Sequence, residues 1–468
     1  MEVANVTYEE SAERLRTLLK TGLLRHSDLV EKPERFFLAH KLLAEYSPQL
    51  GPGFWIRFTV HYNLCIGTIL GLGNDDQIQE MEEMQELGHL GCFSLTERFA
   101  GVNSGFIVQT TADWDNDSKT FVINSPDFGS QKNWISQGLV ADKSVVVADL
   151  RLDGKSFGPH AFVMDLRKNG ALVDGVTLGD MGHKTVGNDL DNAWICFQNV
   201  RLPKQALLNR YADVEESVDG EVKYVQKIKG IPVFHMIGQR LFTGRVAVAQ
   251  AALAFRREIY NSTKAYTDAK LCWSPDGNVS LTTIPQISSL YAEANDRASY
   301  IEKFVQACED DLSECLRLNS VPSLALVEAI AVAKVKAVEE SIDLTFRLKN
   351  EVGSYALMGT SGFGQTDFLQ CCKFAEGDSR VLMQKMARDR MKIFTDAHDM
   401  AALKSPLPDW DEETRLCFEL YQGMTNDLES QRALNKFGAW NLRWREVYGL
   451  AEAVMRRVIT NYLKKRVV

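Results

Sequence analysis

Glu376 is the side chain in this sequence best placed to act as a base. It stands in Cys371-Cys372-Lys373-Phe374-Ala375-Glu376-Gly377-Asp378-Ser379-Arg380, just past a glycine-punctuated turn. A carboxylate set between small and aromatic residues at an element boundary is partly desolvated, which raises its pKa and strengthens it as a base. A Glu-Gly pair alone is a weak signal, since most such pairs are solvated turns. The neighbouring Cys371-Cys372 pair invites a redox reading, but adjacent cysteines are far more often packing residues, and that reading is taken here. Upstream, Gly359-Thr360-Ser361-Gly362-Phe363-Gly364 is loop-like. It follows no strand pattern and does not fit GxGxxG, so it is not a dinucleotide-binding turn.

The elements that must position this carboxylate fall into three characters along the chain. Residues 1–90 carry helix formers at helical spacing, as in Tyr8–Leu15 and Gln77–Leu87, with breaks at Gly51-Pro52-Gly53 and Gly71-Leu72-Gly73. From 91 to 215 the chain shows short β-rich runs split by Asn-Asp, Asp-Gly and Asn-Gly turns. Phe121–Ile123, Ser144–Ala148, Ala161–Met164 and Trp194–Phe197 are the clearest of them. No helix alternates with these strands, so a small antiparallel β domain is expected rather than a doubly wound sheet. Residues 230–395 read as a bundle of long amphipathic helices, Gly238–Ala269, Pro285–Leu318, Pro322–Lys349 and Asp378–Phe394, and 396–468 as a helical extension. The fold class is therefore α+β, in the order helical, β, helical.

Bulk properties narrow the function. At 468 residues and 52.6 kDa the chain can hold two or three domains, and its 45% hydrophobic and 25% charged residues are ordinary for a globular protein. A net charge of −9 and a pI of about 5.6 exclude a general nucleic-acid partner. Nine cysteines without CxxC spacing, and no histidine cluster, argue for free thiols in a reducing compartment and for no metal site. No run of 18 apolar residues predicts a membrane span. Met1–Asn5 does not read as a signal or transit peptide, and the last residues are not a Ser-Lys-Leu type of address.

Two further runs, Phe93-Ser94-Leu95-Thr96-Glu97 and Lys132-Asn133-Trp134-Ile135-Ser136-Gln137-Gly138, join the Glu376 segment in an order that resembles the acyl-CoA dehydrogenase and acyl-CoA oxidase superfamily. The resemblance implies that Glu376 is the catalytic base. It implies FAD as cofactor, bound by Thr96 and Gly101 of a Thr-Glu-x-x-x-Gly loop, by Trp134 over one side of the ring, by Ser136 at flavin N5, and by Gly138, Lys270 and Gly359. Gly359, Gly362 and Phe363 match the glycine-aromatic turn that precedes the base in that superfamily, with Thr360 in place of a second glycine. Gly179-Asp180, Gly182, Lys184, Asp191-Asn192, Arg201-Leu202-Pro203 and, upstream, His61-Tyr62-Asn63-Leu64 are nearer the oxidase branch. Ser136 is a dehydrogenase trait.

Several positions depart from the pattern. Arg98, Phe99 and Val102 fit neither branch. Ala269-Lys270-Leu271-Cys272-Trp273 puts a lysine where the superfamily has an arginine that meets the FAD pyrophosphate across a dimer interface; a lysine keeps the charge and loses the bidentate fork. About 74 residues follow Phe394, fewer than in the oxidases, which suggests an abbreviated or a divergent member.

The expected activity is FAD-dependent α,β-dehydrogenation of an acyl-CoA to the trans-2-enoyl-CoA in a homodimer. The acceptor is O2, giving H2O2, or an electron-transfer protein. The resemblance points to the peroxisome or another organelle, and no targeting segment is visible in the chain. The rival from another class is a non-catalytic relative acting as a binding or assembly subunit, motivated by Arg98-Phe99 and Lys270.

Overall fold

The computed structural model describes residues 6–47, 51–100, 108–216, 221–227, 233–275, 277–400, 402–403 and 405–466, with side chains from 242 onward in the helix that starts at Val233. Helices occupy both ends and a β region lies between them.

The N-terminal part opens with α1 (Tyr8–Thr21), α2 (Asp28–Glu31) and α3 (Pro33–Glu45). At the start of α1, Thr7 and Glu10 form a reciprocal capping box, and Gly22 ends it with φ 62°. Next comes an unusual rod: α4 (Pro52–Thr59), a π-helical segment (Val60–Ile66) and α5 (Gly67–Leu72) run on without interruption. Phe54, Trp55, Phe58, Val60, Tyr62, Cys65, Ile66 and Ile69 are buried around its circumference. A helix buried on every side has no solvent face, so this one threads the core instead of lying over it. α6 (Asp75–Leu87), capped by an Asn74–Gln77 box, leads into the β region.

Its larger sheet contains β1 (Gly91–Ser94), β2 (Thr111–Asp115), β3 (Thr120–Asn124), β5 (Lys143–Leu152), β6 (Lys155–Asp165) and β11 (Val200–Pro203). β4 (Lys132–Ser136), β10 (Asn192–Phe197) and β9 (Val176–Asp180) form a second sheet. Small hairpins are made by β7 (Arg167–Lys168) with β8 (Ala171–Leu172), and by β12 (Ala212–Glu216) with β13 (Val222–Gln226). All four β runs read from the sequence lie in strands. The antiparallel expectation holds for most pairings, but β1 and β2 run parallel to β5. The reason is the length of β5: β1 takes the first half of one edge and β2 the second half, while β6 fills the other edge. Buried on both faces, β5 sends Val145 and Val147 into the core shared with the helices. Val146, Ala148 and Leu150 go into the core of the β region.

The C-terminal part packs α7 (Val233–Ala269), α8 (Pro285–Arg317) and α9 (Leu324–Glu351) against one another, with the hairpin β14 (Leu271–Ser274) and β15 (Gly277–Ser280) between the first two. α10 (Asp367–Phe374) and α11 (Ser379–Ala397) follow; α12 (Glu412–Glu429) and α14 (Trp444–Lys464) pack against α11, α14 also against α9, and α13 (Lys436–Leu442) packs against α12 and α14. Each predicted helical run of this part lies within or closely overlaps one of these helices. Among the described residues no helix is long and apolar enough to cross a membrane, and no three His, Cys, Asp or Glu side chains are grouped to hold a metal. All nine cysteines are free.

Candidate active site

Glu376 sits in the short link between α10 and α11, with φ 56°, and Gly377 follows at φ 96°. Two successive left-handed residues reverse the chain sharply, and a non-glycine residue there costs of order 1–3 kcal/mol. Two cations hold the turn. Arg245 Nε on α7 donates to the Glu376 carbonyl at 3.0 Å. Lys334 Nζ on α9 donates to the carbonyls of Lys373 (2.6 Å) and Gly377 (2.9 Å) and to Ser379 Oγ (3.1 Å). Burial pulls the Lys334 pKa down to about 7. The two carbonyls and the Ser379 hydroxyl oxygen around Nζ form a set that the ammonium satisfies with its three N–H donors.

The turn carries the Glu376 carboxylate into the protein, where only 8% of the residue remains exposed. Asn63 Nδ2, from the π-helical segment, donates to Oε1 at 3.1 Å. Among the described residues, Oε2 has no partner and is buried. Desolvation raises the Glu376 pKa to about 7, against the opposing pull of Arg245, Asn63 and Lys334. The Cys371 and Cys372 thiols are pushed up by burial and are poor nucleophiles. This agrees with reading them as packing residues.

The rod that carries Asn63 also ties down the β region. Arg57 is fully buried and paired with Asp191 at 3.1 Å. It donates further to Ser11 Oγ, the carbonyls of Tyr8 and Asp189, and Gln137 Oε1. The next residue after Asp191, Asn192, donates from Nδ2 to Ser136 Oγ at 3.1 Å. A continuous contact path therefore runs from Ser136 through Asn192, Asp191 and Arg57 to the rod. Asn63 lies six residues further along the same rod, on the order of 9 Å at helical rise.

Thr96 is exposed, and its carbonyl accepts from the Asn133 N–H at 2.9 Å, which sets it beside Trp134. Trp134 is 55% exposed in spite of its size and is held at φ 57°. Ser136 is half-buried. Glu97 gives this corner its rigidity: its buried carboxylate accepts from Lys132 Nζ, the Gln109 and Thr110 N–H groups and Thr110 Oγ1. Gly101 lies outside the described residues.

The other predicted positions have local structural reasons. A Cβ on Gly138 would come 2.7 Å from the Ala193 Cβ, so close approach of β10 accounts for that glycine. Gly359 is exposed with open space around its α-carbon, and the left-handed residue of its turn is Gly362 at φ 83°. Lys270 is exposed at the end of α7, where the β14–β15 hairpin begins, far in sequence from the Glu376 turn.

Sequence reasoning assigned no role to Asn63, Asn192, Gly244, Arg245 or Lys334. Asn63 and Asn192 had appeared only as matches to a pattern. Lys334, one of two lysines in the otherwise apolar run Ala329–Val338, was the available signal for one of them.

No protein-family model matches the chain. Among curated proteins, the acyl-coenzyme A oxidase of Saccharomyces cerevisiae is 29% identical over 388 residues, 76% of this chain and 50% of that protein. The chain thus spans about half the length of the curated yeast relatives it matches. Among solved structures, acyl-CoA oxidase 1 of Yarrowia lipolytica superposes with a TM-score of 0.74 at 21% identity, over 98% of this chain and 72% of the other. Acyl-CoA oxidase-2 of Caenorhabditis elegans, solved with FAD, ascaroside-CoA and ATP, gives 0.72 at 18% identity, covering 98% and 77%. Butyryl-CoA dehydrogenase of Megasphaera elsdenii gives 0.62 at 20% identity, covering 79% and 88%. Sequence similarity at up to 29% identity and the shared fold together support placing the chain in the acyl-CoA oxidase and acyl-CoA dehydrogenase superfamily.

Proposed function

We propose that this chain is an FAD-dependent enzyme that dehydrogenates an acyl-CoA between its α and β carbons, giving the trans-2-enoyl-CoA, with O2 as acceptor and H2O2 as second product. The observation that carries the reading is Glu376 Oε2, a buried carboxylate oxygen with no partner among the described residues, on a group whose pKa is raised to about 7. A general base works best with a pKa near the operating pH. Burying a polar atom without a partner is costly, so it is expected where a substrate completes the site.

The residues present fit a flavin. Trp134 offers an exposed indole face, Thr96 an exposed hydroxyl beside it, and Ser136 a hydroxyl whose oxygen already accepts from Asn192, leaving its own proton to be donated. Thr96, Trp134 and Ser136 would hold the ring, and Lys270 would meet the pyrophosphate. Bound there, FAD would supply the hydride acceptor for the β carbon. Glu376 Oε2 takes the α proton. The Glu376 backbone N–H, as in the superfamily it resembles, is assigned to the thioester carbonyl, where charge develops as the proton leaves. Arg245 and Lys334 keep the base turn in its strained conformation.

We assign a homodimer. Next to Lys270, Trp273 is 81% and Leu271 61% exposed on the β14–β15 hairpin, an apolar face that a second copy would cover. Transfer of electrons to a protein acceptor in place of O2 is the second reading, and Ser136 is the residue that favours it.

The test is the absorbance of the purified chain before and after anaerobic addition of acyl-CoAs of mixed length, for the wild type and Glu376→Gln. A flavin spectrum bleached in the wild type, and bleached slower by roughly 10²–10⁴-fold in the variant, supports the assignment. Equal rates overturn Glu376 as base. A colourless protein that takes up no FAD overturns the enzyme reading. On readmission of air, fast reoxidation with one peroxide per enoyl product supports the oxidase. Slow reoxidation accelerated by an artificial electron acceptor moves the protein to the dehydrogenase branch.

A further inference from the structure

We propose that Asn63 is a positioning residue for the base: by donating to Oε1 of Glu376 it leaves Oε2 as the oxygen that takes the proton, and it steadies the ionised carboxylate. The inference rests on reading Glu376 as the base.

The geometry is specific to this pair. Asn63 is completely buried, and among the described residues it supplies the one hydrogen bond to the Glu376 carboxylate. The two cations nearby do not compete for that role. Arg245 on α7 bonds to the Glu376 carbonyl, and Lys334 on α9 bonds to the Gly377 carbonyl. Asp378, beyond the turn, uses its side chain to cap Arg380 at the start of α11. Each cation acts on the carboxylate through space, and Asn63 acts by contact. Among the described residues its own Oδ1, like Glu376 Oε2, is buried without a partner, and the carboxylate is the group that orients the amide.

Asn63 is also prevented from swinging away. On one side, His61 Nδ1 accepts from the Gly91 N–H at 3.0 Å, which leaves Nε2 protonated. That N–H points to His26 Nε2 at 3.0 Å, and His26 Nδ1 then donates to the Met81 carbonyl at 3.0 Å. On the other side, the Tyr62 hydroxyl donates to the Leu24 carbonyl at 2.9 Å. Burial keeps both imidazoles neutral, so this chain of donors runs in one direction. A π-helical turn is rare and recurs at functional sites, because it redirects the side chains of one turn. Here the turn carries Asn63.

A neutral amide suits the task. A hydrogen bond to the ionised form lowers a carboxyl's pKa moderately, whereas a full positive charge in contact would lower it by more and leave a weaker base. Removing the amide should therefore raise the pKa of Glu376 and slow proton abstraction below it.

The experiment measures the protonated-carboxyl stretch of Glu376 by infrared spectroscopy across pH, the band being identified by its loss in Glu376→Gln. The same titration is run in Asn63→Leu and Asn63→Asp, alongside the pH profile of anaerobic flavin reduction by an acyl-CoA. In Asn63→Leu the infrared midpoint and the acid limb of the profile should both move up by about one pH unit. In Asn63→Asp two carboxyls share the site and the upper apparent pKa should lie above the wild-type midpoint. Asn63→Asp also serves if the leucine variant does not fold, since its side chain is nearly isosteric with asparagine. A merely structural role would lower the rate and leave both midpoints in place, which overturns the inference while the base assignment stands. Flavin reduction at the wild-type rate in Glu376→Gln overturns both.

Discussion

The α-carbon of Gly244 lies directly against the Glu376 carboxylate. A Cβ there would stand 2.2 Å from Glu376 Cδ and 2.4 Å from Asn63 Nδ2. Glycine inside a helix is normally a weakness of about 1 kcal/mol relative to alanine. Here it makes the space in which a carboxylate from one turn meets an amide from the rod.

Gly244→Ala follows from that contact. At an open helical site the change would stabilise the protein; at this one it must displace either the base or the amide. Flavin reduction by an acyl-CoA should fall roughly 100-fold, the scale expected for a 1 Å misplacement, with FAD content close to the wild type. Rapid-mixing absorbance measurements check it, and an unchanged rate would mean that the carboxylate does not sit where it is described.

The raised pKa of Glu376 also predicts how stability depends on pH. Its pKa in the fold is about 7 against an ordinary value of 4.5, so the fold favours the protonated form. The carboxyl therefore costs nothing below about pH 4.5. The penalty grows as pH rises towards 7, and above that it levels off at about 3 kcal/mol. Glu376→Gln, which cannot ionise, should match the wild type in melting temperature near pH 4.5 and exceed it at pH 8. A difference independent of pH would contradict the raised pKa.

Arg57 is the third test. With both side chains of the Arg57–Asp191 pair fully buried, Arg57→Met leaves a carboxylate uncompensated in the interior. Denaturant unfolding should show a loss of about 3–5 kcal/mol, much of it recovered when Asp191→Leu is added. A loss under 1 kcal/mol would show that the pair does not tie the rod to the β region.

Trp134→Ala and Ser136→Ala examine the flavin corner. Both should shift the flavin absorbance, because one removes the covering aromatic and the other a hydroxyl donor at the ring. Trp134→Ala should also lower FAD content, whereas Ser136→Ala should leave it near the wild type. If neither spectrum moves, these residues are not at the ring.

The sequence by itself determined the order of helical and β parts, the positions of most long helices and strands, and the identity of the acidic residue at the Glu376 turn. All of these are short-range properties. Apolar periodicity sets helix or strand within a few turns, and the Ala-Glu-Gly-Asp run marks a reversal before a capped helix. The tertiary structure decided what surrounds the carboxylate. Asn63 stands 313 residues from Glu376, and Arg245 131. No local pattern links residues so far apart, because their meeting depends on how the rod and α7 cross. The parallel pairings of β5 were hidden for the same reason: strand direction depends on which strand reaches which edge, and not on the composition of either. Glycines were the least legible. The sequence shows Gly138, Gly244 and Gly359 alike, and packing alone distinguishes a close approach to Ala193, a seat for Glu376 and an open turn. A residue without a side chain records nothing locally about the neighbour it makes room for.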